Sequence, residues 1–357
     1  MGFFPKKSKR LVGLDIGSSS VKVCELQRVG NKEGASFHLQ KIGMAEMPRD
    51  SIVEGDIMDS NAVIAAIRQA VSDQKIKAKE VAISVSGQQV IVKKVTLQIM
   101  SQAELVESIR WEAESFFPSG QSLESYALDY AIVEERNAEG NMDVLLVACR
   151  KDKMESYISC VVQAGLKPRT VDLDVFALQN AFEANTQATG YEEVSVLANI
   201  GASFTNLCML TGKKSLFWRD IPFGGDKFTI KIAEDLGISS EGAEELKKGR
   251  PAEGREPQEA EPSIAAVSDS FADELSRNTE FFRNNFKVDK IDRILLSGGG
   301  AKMTSLAGTL KGRFNVPVEL LDPFSLIEDG KGAPGAEELG CAGAVVIGLA
   351  MREEGDR

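Results

Sequence analysis

Histidine is nearly missing from this chain: His38 is the single one among 357 residues. An imidazole-based mechanism would have to hang on that residue, and it falls in a strand-like stretch where a solvent-facing position is the expectation. Cysteine is sparse as well. Cys24, Cys149, Cys160, Cys208 and Cys341 are scattered, odd in number and never at CxxC spacing. That pattern excludes a disulfide framework or a thiolate metal site and reads as buried free thiols. No apolar run reaches the length of about 18 residues that a membrane span needs. The first residues, MGFFPKKSKR, carry their basic side chains after the phenylalanines and lack a signal-peptide core, so the expected location is the cytoplasm. Phe3, Phe4, Lys6, Lys7, Lys9 and Arg10 fit contact with an anionic membrane face or, more simply, a solvated tail. Positive charge is in deficit: the formal net charge of −11 speaks against broad nucleic-acid binding.

What the chain does contain is length enough for two cores, an ordinary globular composition, and a repeated polar turn. The first copy lies in LVGLDIGSSSVK (11–22). An apolar run ends in Asp15, small residues Gly17, Ser18, Ser19 and Ser20 make a turn, and a second apolar run follows. This is a β-hairpin with a tip able to aim several backbone N–H groups at one anion. Asp15 at the strand end could face a metal riding on a phosphate. The same residues also suit a plain polar hairpin. The second copy, ANIGAS (198–203), ends the run from 194 and leads into another at 205–211. Two such hairpins in two halves of one chain suggest a duplicated unit that clamps a phosphate chain from both sides.

Between and after the hairpins, strand pairs alternate with helical patterns, which predicts an α/β class. A strand is expected at 36–44. A helix capped by Ser60 or Asn61 buries Val63, Ile64, Ile67 and Val71. Strands follow at 81–85 and 90–95. Residues 96–165 read as an inserted helix–strand–strand–helix unit, opened by the capping box Ser101-x-x-Glu104 and broken at Pro118-Ser119-Gly120. Asp174 begins the next helix, where it suits the positive end of the dipole or could face a metal and a water. Gly224-Gly225 opens a helix and allows close backbone approach. Glu244 and Lys247 share a helix face, as a surface pair or as ligands. The stretch 249–262 is charged and rich in Pro and Gly, and reads as a mobile loop. A long amphipathic helix at 264–286 follows, then a strand and the loop Gly298-Gly299-Gly300. The last helix, 338–350, contains Gly340, Gly343 and Gly348, which calls for close packing on another helix.

Taken together, LDIGSSSVK, LDVFALQNAF, ANIGASFTNL, LLSGGGA and ELGCAGAVVIGLA resemble, in order, the five motifs of the actin-like ATPase superfamily. The inserted unit resembles the extra subdomain of FtsA. Within the superfamily, FWRDIPFGGDKFTIKIAEDLGI, AEELKKG and SDSFADELSRNTEFFRNN resemble the PilM family of type IV pilus assembly proteins. The resemblance implies a duplicated two-domain fold around a nucleotide cleft. Its boundaries are 1–95 and 166–192 for the first domain, 96–165 for the insertion, 193–337 for the second domain, and 338–357 for the second connecting helix and tail. It implies ATP or ADP with Mg²⁺ as cofactors. Gly17, Ser18, Ser19 and Lys22 would hold the phosphates from one side and Gly201 and Ser203 from the other. Gly224, Gly225, Glu244 and Lys247 would serve the nucleoside side, with Gly298, Gly299 and Gly300 beneath it. Asp15 and Asn199 would reach the metal through water, and Asp174 would place the attacking water. Relatives commonly carry Asp at the place of Asn199, so weak hydrolysis is expected.

The implied partner is the cytoplasmic N-terminal peptide of PilN, gripped beside the inserted unit, with other inner-membrane and motor components of the pilus or a related secretion system. A homo-oligomer or ring is compatible, and membrane contact would come only through partners. Two other readings stand: an FtsA-like division protein, against which the acidic C-terminus without an apolar face speaks, and a small-molecule kinase.

Overall fold

The computed structural model describes residues 11–29, 36–117, 122–186, 193–330 and 332–355. The basic N-terminal tail and the predicted break at Pro118-Ser119-Gly120 lie outside them. The chain opens with an antiparallel meander, β1 (Val12–Ile16), β2 (Ser20–Val29) and β3 (Ser36–Glu46). All five residues of β1 are buried, Asp15 included, as expected of a strand flanked by strands on both sides. A small hairpin, β4 (Ile52–Val53) with β5 (Asp56–Ile57), leads into α1 (Ser60–Asp73), and β6 (Glu80–Val85) returns parallel to β1. The cap of α1 is Asp59, whose carboxylate accepts from the amides of Asn61 and Ala62, one residue before the expected cap.

A separate unit follows: β7 (Val90–Leu97), α2 (Gln102–Glu114), β8 (Tyr126–Glu134) and β9 (Met142–Arg150), with strand order β7-β9-β8. Val95, Leu105, Ile109, Met142, Val144 and Leu146 give it a core of its own. The Ser101–Glu104 capping box forms in full. The unit therefore runs from 90 to 150 rather than from 96 to 165. Its first strand, β7, pairs with β9 and not with β6, a choice that strand patterns alone do not make. The helix after it, α3 (Lys151–Gln163), buries Tyr157, Cys160 and Val161 in the first main core. From there β10 (Lys167–Leu173) pairs parallel with β6 and leads into α4 (Asp174–Asn185).

The second half repeats the plan. β11 (Val194–Ile200), β12 (Thr205–Thr211) and β13 (Lys214–Ile221) form an antiparallel meander. Then come α5 (Gly225–Leu236), α6 (Ser240–Lys247) and α7 (Glu261–Phe286), then β14 (Arg293–Ser297) parallel to β11. Next, α8 (Leu306–Phe314) leads to β15 (Val318–Leu320), parallel to β14. The chain then crosses back: β16 (Ile327–Glu328) adds to the edge at β3, and Leu321, Phe324 and Ile327 enter the first core. The second domain thus gives up its chain near Leu321, well before the expected boundary at 337. A strand of two residues carries no periodicity to announce the crossing.

The sheets are β10-β6-β1-β2-β3-β16 and β13-β12-β11-β14-β15. In each, a three-stranded meander is extended by two parallel strands from the side of its first strand, which is the duplication expected from the hairpins.

Two other expectations need correction. Residues 249–262 are not an irregular loop: Ala252 pairs with Arg255, Glu256 and Glu259 form a reciprocal cap, and Pro257–Ala260 is a 3₁₀ turn running into α7. Proline at the first turn position suits that geometry. The last helix is broken into α9 (Ala336–Leu339), a 3₁₀ turn at Gly340–Gly343, and α10 (Ala344–Ala350), because Gly340 takes φ 51°. The expected close packing is there nonetheless. A Cβ at Gly348 would lie 1.8 Å from the Ala177 carbonyl oxygen of α4, so only glycine lets α10 and α4 cross at this distance. All five thiols are buried and free.

Candidate nucleotide cleft

The first hairpin tip joins β1 to β2, and its turn is closed by Gly17 N–H donating to the Ser20 carbonyl at 3.1 Å. The second joins β11 to β12 through the same bond, Gly201 N–H to the Phe204 carbonyl at 2.8 Å. Identical turns leave the following amides, Ser18 and Ser19 in one tip and Ala202 and Ser203 in the other, without hydrogen-bond partners among the described residues. Such consecutive free N–H groups suit an anion. Lys22 Nζ, expected at a phosphate, lies 3.0 Å from Asp15 Oδ2 and forms an ion pair with it.

Asp174 stands at the start of α4, close enough to Asp15 to feel its charge. Burial, with the charges of Asp15 and Asp220, pushes its carboxyl up to about 6. The buried Lys153 of α3 shares this region. Its ammonium donates to the Gly55 carbonyl at 2.7 Å and lies 3.7 Å from Asp56, and burial pulls its pKa down. Asp15 and Asp174 thus lie in one electrostatic neighbourhood with Lys153 and Asp220, two residues the sequence did not single out.

A second cluster lies at α5 and α6. Lys247 Nζ is 2.5 Å from Glu244, 2.8 Å from the Thr229 hydroxyl and 3.2 Å from the Gly225 carbonyl. Burial alone would raise the Glu244 carboxyl, but Lys247 and the Thr229 hydrogen bond hold it below the usual range. Gly224 and Gly225 approach the second hairpin itself: Gly225 N–H donates to the Gly201 carbonyl at 2.8 Å. Ser203 donates to Asp226 at 3.0 Å, so this serine is tied to α5. Gly298 (φ 84°) tucks under Ile200, where a Cβ would be 2.3 Å from the Ile200 carbonyl oxygen, whereas Gly299 has open space above it. Arg49 in the first half reaches across to Glu244 at 3.9 Å.

Asn199 is engaged at both ends of its carboxamide. Its Nδ2 donates to Asn206 Oδ1 at 2.9 Å, and its Oδ1 accepts from the Ser297 hydroxyl at 3.2 Å. Asn206 in turn donates to Asp220 Oδ1 at 2.8 Å, and Asp220 Oδ2 accepts the Gly87 N–H at 2.6 Å. Beside Asp220 a narrow cleft opens, lined by Val90, Val92, Leu173, Asp174, Val175 and Trp218. The Trp218 Nε1 is buried and has no hydrogen-bond partner among the described residues.

Two like domains, each with the same hairpin turn, together with a glycine loop and two crossing helices, define an actin-like fold. Comparison bears this out: MreB5 of Spiroplasma citri bound to ADP superposes with a TM-score of 0.51 at 12% identity, over 95% of this chain and 94% of that one. More specifically, residues 13–354 match the family of the type IV pilus assembly protein PilM, and the chain belongs to that family. A chain of the PilM-PilN type IV pilus biogenesis complex is 27% identical, with a TM-score of 0.84 over 97% of this chain and 99% of that one. The cell division protein FtsA of Pseudomonas aeruginosa is 23% identical over 90% of this chain and 85% of its own length.

Proposed function

We propose that this chain is a nucleotide-binding scaffold of the type IV pilus inner-membrane assembly complex, docking the N-terminal tail of a PilN-type partner and hydrolysing ATP slowly or not at all. Membership of the PilM family over nearly the whole chain carries the first part. The likeness to the PilM-PilN complex structure supports the partner, and through it a place at the inner membrane. The match to the PilM family also favours this reading over FtsA-like division, which rests on a more distant relative.

The cleft fits a nucleotide with its metal. Ser18, Ser19, Ala202 and Ser203 offer amides to the phosphates, Glu244 and Lys247 stand by for the ribose and base, and the open face of Gly299 suits the nucleoside. Mg²⁺ would supply charge neutralisation on the phosphates, with Asp15 as the nearby carboxylate. Asn199, neutral and already hydrogen-bonded at both ends, is poorly placed to add charge at such a metal, which is the observation behind slow turnover. The partner tail is assigned to the groove where the inserted unit meets the first core, with Val90, Val92 and the unsatisfied Trp218 Nε1 on its walls.

The test is ATP binding against ATP turnover in the purified chain. We expect saturable binding, weakened by Asp15→Ala, with turnover far below the median enzyme rate of about 10 per second. Brisk hydrolysis abolished by Asp15→Ala would contradict the scaffold reading.

A further inference from the structure

Four polar side chains sit side by side across four strands of the second sheet. The ladder registers place Ser297 opposite Asn199, Asn199 opposite Asn206, and Asn206 opposite Asp220. Each touches the next by a side-chain hydrogen bond, at 3.2, 2.9 and 2.8 Å. Ser297, Asn199 and Asn206 are buried. A buried polar row is costly unless fully satisfied, and apolar residues would pack there more cheaply.

The row has two ends, and both matter. At one, the single Ser297 hydroxyl proton is shared between the Cys341 carbonyl at 2.8 Å and Asn199 Oδ1 at 3.2 Å, and the same carbonyl accepts the Gly298 N–H of the glycine loop at 3.2 Å. At the other, Asp220 leaves its own half and accepts the Gly87 N–H of the first half. Gly87 belongs to the turn between β6 and β7, whose carbonyl accepts the Val90 N–H at 3.0 Å as the inserted unit begins. The middle of the row, Asn199, is two residues from the second hairpin tip. The side-chain bonds from Asn199 through Asn206 and Asp220 to Gly87 thus link the strand that carries the second hairpin to the root of the inserted unit, and Ser297 ties that strand to the glycine loop.

We propose that the row Ser297–Asn199–Asn206–Asp220 is a strut through which occupancy of the nucleotide cleft sets the position of the β6–β7 turn, and with it the inserted unit, with Asp220 as the positioning residue that carries the signal between halves. The inference rests on the reading of the cleft as a nucleotide site. A ligand gripped by the second hairpin shifts Asn199, and the shift has a rigid path to Gly87. It also gives Asn199 a positive role in place of an acid.

Amide hydrogen exchange on the full chain, with and without saturating Mg-ATP, tests it. In the wild type, ATP should slow exchange at both hairpin tips and change it at residues 87–97 by about tenfold, the usual size of a coupling between sites. Asp220→Asn and Asn206→Leu cut the row at separate links. Both should keep the ATP effect at the tips and lose it at 87–97. Ser195→Ala, which removes the acceptor of Arg293 on the same β11 strand but off the row, should behave as wild type. An unchanged response at 87–97 in Asp220→Asn, or none in the wild type despite protected tips, overturns the strut. Absence of protection at the wild-type tips instead overturns the nucleotide site on which it rests.

Discussion

Asp174 is a carboxyl held where it costs the fold something. Its pKa is raised from 3.8 to about 6, by burial first and then by Asp15. A carboxyl with a higher pKa in the folded than in the unfolded chain destabilises the fold once it is ionised in both states. That cost is complete above about 6, shrinks as pH falls towards 3.8, and is gone below it. In the nucleotide-free protein, Asp174→Asn should therefore raise the melting temperature at pH 7.5, with the gain closing as the pH approaches 4. Thermal melts across that range check the sign, and a gain that grows in acid would contradict it. Such a group is what a site retains for function rather than for stability. The sequence showed Asp15 and Asp174 because each ends or begins an element at a motif. It did not show Asn206, Asp220 or Lys153. A lone polar residue in a strand reads equally as solvent-facing, and only the register of neighbouring strands reveals that Ser297, Asn199, Asn206 and Asp220 align; Lys153 lies on a helix, where a lysine reads as surface. His38, read as a solvent-facing strand residue, is partly exposed and lies 2.6 Å from Glu328 of β16.

At the scale of elements, glycine content and caps translated well into packing. Gly348→Ala should cost about 3 kcal/mol or more, because a methyl has no room against the Ala177 carbonyl and two connecting helices must part. Urea unfolding would measure it, and a loss below a few tenths would show that α10 and α4 do not cross so closely. Ser101→Ala removes a cap whose partner, Glu104, also satisfies the Ser101 amide. The expected loss is about 1 kcal/mol, read locally as faster amide exchange in the first turn of α2. An effect spread over both main cores would contradict a self-contained inserted unit. Composition misled at 249–262, where charge and proline suggested a loop. The capping pair Glu256–Glu259 was in the sequence, but it lies among other glutamates and does not stand out. The break at Gly340 was hidden for a related reason: an apolar pattern continues on both sides of it.

At the scale of the molecule, the two halves were legible because they are built alike, meander first and parallel extension after. Their exact limits were not, because the chain returns to the first sheet through a strand of two residues. The arrangement puts the inserted unit beside the cleft, and among the described residues no helix is long and apolar enough to cross a membrane. Under the proposed function, the connection to the envelope runs through a partner's tail. Binding of a synthetic PilN N-terminal peptide to the full chain, by calorimetry with and without Mg-ATP, tests that claim most directly. Saturable one-to-one binding that changes with nucleotide is the predicted result. No binding in either state would contradict it.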